Sequence, residues 1–224
     1  MLVRISKRFR ERGLGGTVKH LFARLREELW SEEVFLVMTK DLSAVAPVRR
    51  PTGIVFEDLR REHLPLLYEL NRERHAPEVD KRFTAYVEAG FQGFVALLDG
   101  AAIGYYWWVD AADGAEFPDL RDHDLGFDLG SGEAYGSDFY ILEAHRNGGT
   151  AGEMLARIEA GLQERGYSRL WGYVLAENRP ARWLYSMRGY EKQWTHMRRK
   201  RFFVTKEENS PDPRTDKGGT DVDR

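Results

Sequence analysis

The spacing of apolar positions changes along the chain, and each change marks an element. Val18, Leu21, Phe22, Leu25 and Leu29 recur at three- and four-residue steps, one face of an amphipathic helix. Thr17, after Gly15-Gly16, is a suitable N-cap. "VFLVMTKDL" (34–42) and "TGIVFEDL" (52–59) read as strands, and "RREHLPLLYELNRE" (60–73) and "EVDKRFTAYVEAG" (78–90) as helices. "GFVALLDGAAIGYYWWVD" (93–110) predicts a hairpin, two β-rich runs joined at Asp99-Gly100, a favoured two-residue turn. Alternation then puts one pair from Tyr105 to Trp108 on the core face. The other pair faces outward, as strand filling or as the lining of an acceptor site. A loop rich in acid and glycine follows, from about 110 to 136. "SDFYILEA" (137–144) is a strand, 149–165 a helix, "SRLWGYVLA" (168–176) a strand, 179–188 a helix, and "WTHMRRKRFFVT" (194–205) a last strand. Strands and helices alternating in this way predict a mixed sheet with helices on its faces.

Three zones result. Residues 1–32 form a basic amphipathic N-terminal helical extension, with eight Lys/Arg against three Glu in the first 30 positions. It is expected to pack on its own domain or on a partner subunit, with peripheral membrane contact as the other reading. Residues 33–205 are the folded domain. Residues 206–224 carry almost nothing apolar and are expected to be a disordered polar tail.

Composition narrows the function. With 42% apolar and 31% charged residues, the chain has a globular profile, and its net charge of −2 offers no global field for nucleic acid. The absence of cysteine removes disulfides, thiolate metal sites and a cysteine nucleophile. No metal is expected. No apolar run reaches signal-peptide or bilayer-spanning length, so a cytoplasmic location is expected.

The chemistry concentrates at "EAHRNGGTAGEML" (143–155). A strand runs into a glycine-rich turn, and a helix starts near Gly149 with Ala151, Met154, Leu155, Ile158 and Leu162 on one face. A helix N-terminus presents unpaired N–H groups and partial positive charge, and glycine lets a phosphate come close. Arg146 adds a charge-assisted contact, so the turn suits a pyrophosphate. No Gly-Lys-Ser/Thr follows, so this is not a Walker loop. About 30 residues on, "AENRPARWLYSMRGYE" opens a second helix, with Asn178 as its cap, Pro180 in its first turn and Gly189 at its end.

Together the two segments resemble the GCN5-related N-acetyltransferases, the GNAT superfamily. The phosphate-binding motif of that family is Arg/Gln, two residues, Gly, one residue, Gly/Ala. Here it reads Arg146, Asn147, Gly148, Gly149, Thr150, Ala151, with Asn147 where the family usually has glycine. The second motif reads Asn178, Ala181, Tyr185, Gly189, Tyr190. The resemblance implies an α+β (mixed α/β) fold: a central, mostly antiparallel twisted sheet with a splayed parallel strand pair, flanked by helices. It implies acetyl-CoA, or another acyl-CoA, bound in the splay. The backbone of Ile141, Leu142 and Glu143 would pair with the pantetheine arm, Arg146 to Gly152 would hold the pyrophosphate, and Asn178, Ala181 and Tyr185 would flank the arm.

The implied reaction is direct attack of a primary amine of a small molecule on the thioester, in a ternary complex. Tyr185 is the candidate acid for the leaving thiolate. Asp138 is the first candidate base, with Glu143 and His145 behind it; in many members water serves. Nine carboxylates against one arginine between Asp110 and Asp138 favour a cationic acceptor. Two other readings stand: a donor with a longer acyl group or an acyl carrier protein, and a non-catalytic acyl-CoA sensor. A homodimer is a further reading, and no nucleic-acid partner is expected.

Overall fold

The strand-like runs fold into an eight-stranded sheet, seen in a computed structural model that describes residues 30–45, 53–110, 129–146, 149–201 and 204–211. The strands are β1 (Trp30–Asp41), β2 (Val55–Asp58), β3 (Gln92–Leu98), β4 (Ala101–Asp110), β5 (Glu133–Ile141), β6 (Arg169–Leu175), β7 (Glu191–Arg201) and β8 (Val204–Pro211). Their order is β2-β3-β4-β5-β6-β1-β7-β8. Only β5 and β6 pair in parallel; every other neighbour is antiparallel. Four helices cover the faces among the described residues: α1 (Leu64–Glu73), α2 (Val79–Glu88), α3 (Thr150–Glu164) and α4 (Arg179–Met187). The mixed sheet with a single parallel pair is the expected α+β architecture.

The alternation of β4 sorts the core into two layers. Tyr106 and Trp108 pack with Met154, Leu155, Ile158 and Leu162 of α3 and with Tyr185 of α4. Tyr105 and Trp107 pack with Leu64, Leu67 and Leu70 of α1 and with Phe83 and Tyr86 of α2. All four β4 aromatics are at most 2% exposed, so neither pair faces outward as the alternation alone suggested. The reason is that helices cover both faces. At the β3–β4 turn, Asp99 and Gly100 take φ of 50° and 81°, the left-handed pair that a tight hairpin demands.

Three boundaries differ from the sequence reading. β1 starts at Trp30, before the 32/33 domain boundary, and inserts between β6 and β7. β5 starts at Glu133, inside the stretch assigned to the acidic loop, because Ala134 and Tyr135 pair with strands on both sides. The third is a correction: residues 206–211 belong to edge strand β8, not to a disordered tail. Charge complementarity, not apolar burial, supplies its cohesion. Basic β7 faces acidic β8, with Arg198 3.5 Å from Glu207 and Arg199 3.8 Å from Glu208. Arg199 also reaches Glu32 of β1 at 2.9 Å, and buried His196 meets Asn209 at 2.8 Å. A short, charged edge resists unwanted pairing with other chains. Most of the N-terminal extension, most of the acidic loop and residues 212–224 lie outside the described residues.

Candidate active site

The site begins where one ladder stops. β5 and β6 pair from Glu133↔Arg169 to Gly136↔Gly172 and no further. β5 nevertheless continues to Ile141 along β4, and β6 to Leu175 along β1. The register with β4 shifts beside Ser137, between the pairs Trp108↔Gly136 and Trp107↔Asp138. That bulge bends β5 away from β6. Beyond it, backbone groups that a sheet would pair face a gap. The Leu142 N–H donates to the Ile103 carbonyl (2.8 Å), which fixes the alternation: Tyr140 and Leu142 turn toward β4, Phe139 and Ile141 toward the split.

The last paired residues are both glycines. A Cβ on Gly136 would stand 1.8 Å from the Tyr106 hydroxyl oxygen and 2.6 Å from its Cζ. A Cβ on Gly172 would stand 3.9 Å from Tyr185 Cε1 and 4.0 Å from its hydroxyl. Two tyrosine hydroxyls therefore converge over a side-chain-free floor. The resulting cleft, about 450 Å³, is lined by Tyr106, Gly136, Asp138, Asn178, Ala181 and Tyr185 among others. Replacing Gly136 with alanine is expected to destabilise the fold by about 1–3 kcal/mol. It should also push Tyr106 into the gap and weaken coenzyme binding. Thermal unfolding and a coenzyme A titration check this; an alanine variant with wild-type melting and affinity would contradict it.

The two faces of the cleft differ chemically. On the α3/α4 face, burial pushes the Tyr185 hydroxyl well above the usual phenol value, with smaller contributions from Glu159 and Tyr173. Burial does the same to Tyr106, helped by Tyr185 and Glu159. Both hydroxyls stay protonated at neutral pH and act as donors. On the α1/α2 face, Asp138 Oδ2 accepts from Arg82 Nη2 of α2 at 2.5 Å, and the buried Tyr105 hydroxyl donates to Oδ1 at 3.4 Å. Burial, and secondarily Asp138 itself, raise the Tyr105 pKa, so that hydroxyl remains a donor as well. The Tyr105 hydroxyl thus reaches both carboxylate oxygens, Oδ1 at 3.4 Å and Oδ2 at 3.5 Å, and the guanidinium holds Oδ2.

Behind the split, Gly149 takes φ 91° and caps α3, and the first helical bond runs from Glu153 N–H to the Gly149 carbonyl (2.9 Å). A Cβ on Gly149 would meet nothing within 4 Å, so this glycine serves its left-handed conformation rather than space. The amides of Ala151 and Gly152 point out of the helix tip. Gly152 packs toward Leu184 of α4, to which an added Cβ would come within 3.8 Å. Asn178 Oδ1 accepts from the Ala181 N–H (3.1 Å), the expected cap, and the residue lines the cleft.

Of the residues singled out from sequence, the fold gathers Asp138, Asn178, Ala181 and Tyr185 around one cleft. Glu143 lies exposed on a 3-10 turn, its carbonyl accepting from the Arg146 N–H (3.2 Å). The Leu142 amide is engaged with β4, so the gap-facing backbone belongs to Phe139 and Ile141. Arg146 Nε donates to the Ile141 carbonyl (2.9 Å), and its guanidinium lies 5.3 Å over the Tyr140 ring. Asn147 and Gly148 lie outside the described residues. Sequence reasoning passed over Gly136, Gly172 and Arg82, and held Tyr106 only as one of the four aromatics from Tyr105 to Trp108. Glycine inside a strand is a usable signal, since it marks close approach of another group.

The acetyltransferase (GNAT) family model matches residues 56–190, more than half of the chain. The chain belongs to this family. Membership makes it an acyl-CoA-dependent N-acyltransferase, and the matched span runs from β2 to the end of α4, enclosing the whole split. In fold the chain is similar to a functionally unknown conserved protein from Staphylococcus epidermidis (TM-score 0.58, 12% identity, 83% of this chain and 68% of that one). It is also similar to a GCN5-related N-acetyltransferase from Sphaerobacter thermophilus (TM-score 0.56, 16% identity, 90% and 59%). A third is the glucosamine N-acetyltransferase region of a fungal multi-domain β-N-acetylglucosaminidase (TM-score 0.56, 18% identity, 80% and 22%). No curated protein matches the chain. Among the described residues, no helix is long and apolar enough to cross a membrane, and no group of three or more His, Cys, Asp or Glu is placed to hold a metal ion.

Proposed function

We propose that this GNAT protein moves an acetyl group from acetyl-CoA to a primary amine of a small molecule, by direct attack in a ternary complex. The carrying observation is the parallel pair that stops at Gly136 and Gly172 while both strands run on. A pantetheine arm carries amides of its own, and as an added strand it would satisfy the gap-facing backbone of Phe139 and the Ile141 N–H, the Ile141 carbonyl being taken by Arg146. The helix tip at Ala151 and Gly152 would hold the pyrophosphate, and the cleft volume suits the arm. When bound, acetyl-CoA supplies the acyl carbon and a thiolate leaving group.

The chain's own residues divide the remaining work by face. From the α1/α2 face, Asp138 Oδ1 would accept one proton from the incoming ammonium; the amine nitrogen would bond to the acyl carbon as the C–S bond breaks, and the second proton the nitrogen sheds would leave on the thiolate sulfur. On the α3/α4 face, the Tyr185 hydroxyl would donate to the sulfur as charge develops there. Release of free thiol from acetyl-CoA, followed against a panel of primary amines, tests the reading. Amine-dependent thiol supports it; coenzyme A binding without thiol release from any amine would support a sensor instead.

A further inference from the structure

Two guanidiniums meet over one ring on the acceptor side of the split. Arg74, which ends α1, lies 4.3 Å over Tyr140, and Arg146 lies 5.3 Å over the same ring. Arg74 also lies 5.7 Å over Tyr105. Like charges gathered on one aromatic repel, and a tyrosine face offsets only part of that. The arginines nearby are handled differently: Arg82 is paired with Asp138 and Arg157 with Glu153. Among the described residues, no carboxylate lies within 4 Å of Arg74 or Arg146. Arg74 Nε is moreover buried without a hydrogen-bond partner. A buried, unpaired guanidinium N–H is a costly feature, and its natural complement is an anion.

The location says which molecule would bring that anion. Tyr140 stacks on Tyr105 (ring centroids 5.8 Å apart) in the α1/α2 layer, across the sheet from Tyr185 and the α3 tip. Tyr140 follows Asp138 by two residues on the same strand face, a step of about 6–7 Å. An amine presented to Asp138 would therefore carry its anion a few bonds away, over Tyr140.

We propose that Arg74 and Arg146, stacked on Tyr140, form a subsite for an anionic group of the acceptor, so that the acceptor is an amine bearing a carboxylate or phosphate about four to six bonds from the reacting nitrogen. This narrows the cationic acceptor expected from the acidic loop to a zwitterionic one. It rests on reading the split as the acyl-transfer site, and it moves Arg146, expected from sequence beside the pyrophosphate, to the acceptor side, where its Nε bonds the Ile141 carbonyl and its guanidinium lies over Tyr140.

Calorimetric titration of the coenzyme A-saturated full chain tests it without turnover. The probes are matched pairs: 5-aminopentanoate against pentylamine, and 3-aminopropyl phosphate against 3-aminopropanol. The anionic member of at least one pair should bind about 10- to 100-fold tighter, the worth of hydrogen bonds between charged groups. Which pair shows it separates carboxylate from phosphate. Arg74→Ala and Arg146→Ala should each shrink that advantage, and Arg74→Lys should keep part of it. Circular dichroism on the variants separates lost folding from lost recognition. Members of both pairs binding alike, including no binding by any, would overturn the proposal, as would an advantage that survives in both alanine variants. Coenzyme A titration into the free protein stands apart: its failure sinks the acyl-transfer reading, whereas its success with no anion preference sinks only this one.

Discussion

Replacing Tyr185 with phenylalanine is expected to lower turnover about 10- to 100-fold while coenzyme A affinity stays near that of the unaltered protein. The size follows from the acidity of the group. Burial holds the Tyr185 hydroxyl above the ordinary phenol value, with Glu159 and Tyr173 adding to it. A thiol is a stronger acid than even an unperturbed phenol, so full proton transfer from Tyr185 to the departing sulfur is uphill. In the proposed reaction the hydroxyl would instead stabilise developing charge by a hydrogen bond, worth about 1.5–3 kcal/mol to an ion. Full general-acid transfer would be worth about 10²- to 10⁴-fold. Thiol-release kinetics separate the cases, and a phenylalanine variant that keeps more than half of the turnover would remove Tyr185 from the reaction. Because the pKa moves upward, loss of this proton should impose no alkaline fall in turnover below pH 10.

The second large effect concerns stability. Glu159 of α3 is fully buried and accepts from Arg188 at two points, Nη2 to Oε2 at 2.5 Å and Nε to Oε1 at 3.3 Å. Arg188 follows α4, and its N–H caps the Leu184 and Tyr185 carbonyls, so the pair ties α3 to the end of the helix that carries Tyr185. Arg188→Ala strands a buried carboxylate and should destabilise the protein by about 3–5 kcal/mol. The deficit should depend on pH with a definite sign. Desolvation already raises the Glu159 pKa above its ordinary 4.5, against the pull of Arg188 and Lys40. Removing Arg188 raises it further. A carboxyl whose folded pKa is raised adds no penalty once both states are protonated, and penalises folding as pH climbs through the folded value. The difference between variant and parent should therefore be largest at neutral pH and shrink toward pH 4.5, as read by urea unfolding across that range. A pH-independent deficit would place the cost elsewhere.

How much of this was legible in sequence follows from range of action. The β3–β4 hairpin was readable because Asp99-Gly100 sets a turn locally. The α3 and α4 starts were readable because caps and helix-tip glycines act within a turn of where they stand. β8 was missed because an apolar count does not register cohesion from Arg198 and Arg199 of β7 set against Glu207 and Glu208 of β8. The central position of β1 was not legible either, since pairing between residues 30–41 and 191–201 spans most of the chain. At the site, Tyr185, Asn178 and Asp138 stand out as residue types, whereas Tyr106 matters only because Gly136 and Gly172 happen to be register partners. Arg74 and Arg146 meet over Tyr140 from distant parts of the chain, and no local pattern announces it.

Hydrogen exchange of the full chain, with and without saturating coenzyme A, tests the central claim most directly. Amide exchange should slow in the gap-facing strand 137–141 and at the helix tip 150–152, where the arm and the pyrophosphate would take up N–H groups. Unchanged exchange in both segments at saturating coenzyme A, or protection confined to another surface, would contradict the account.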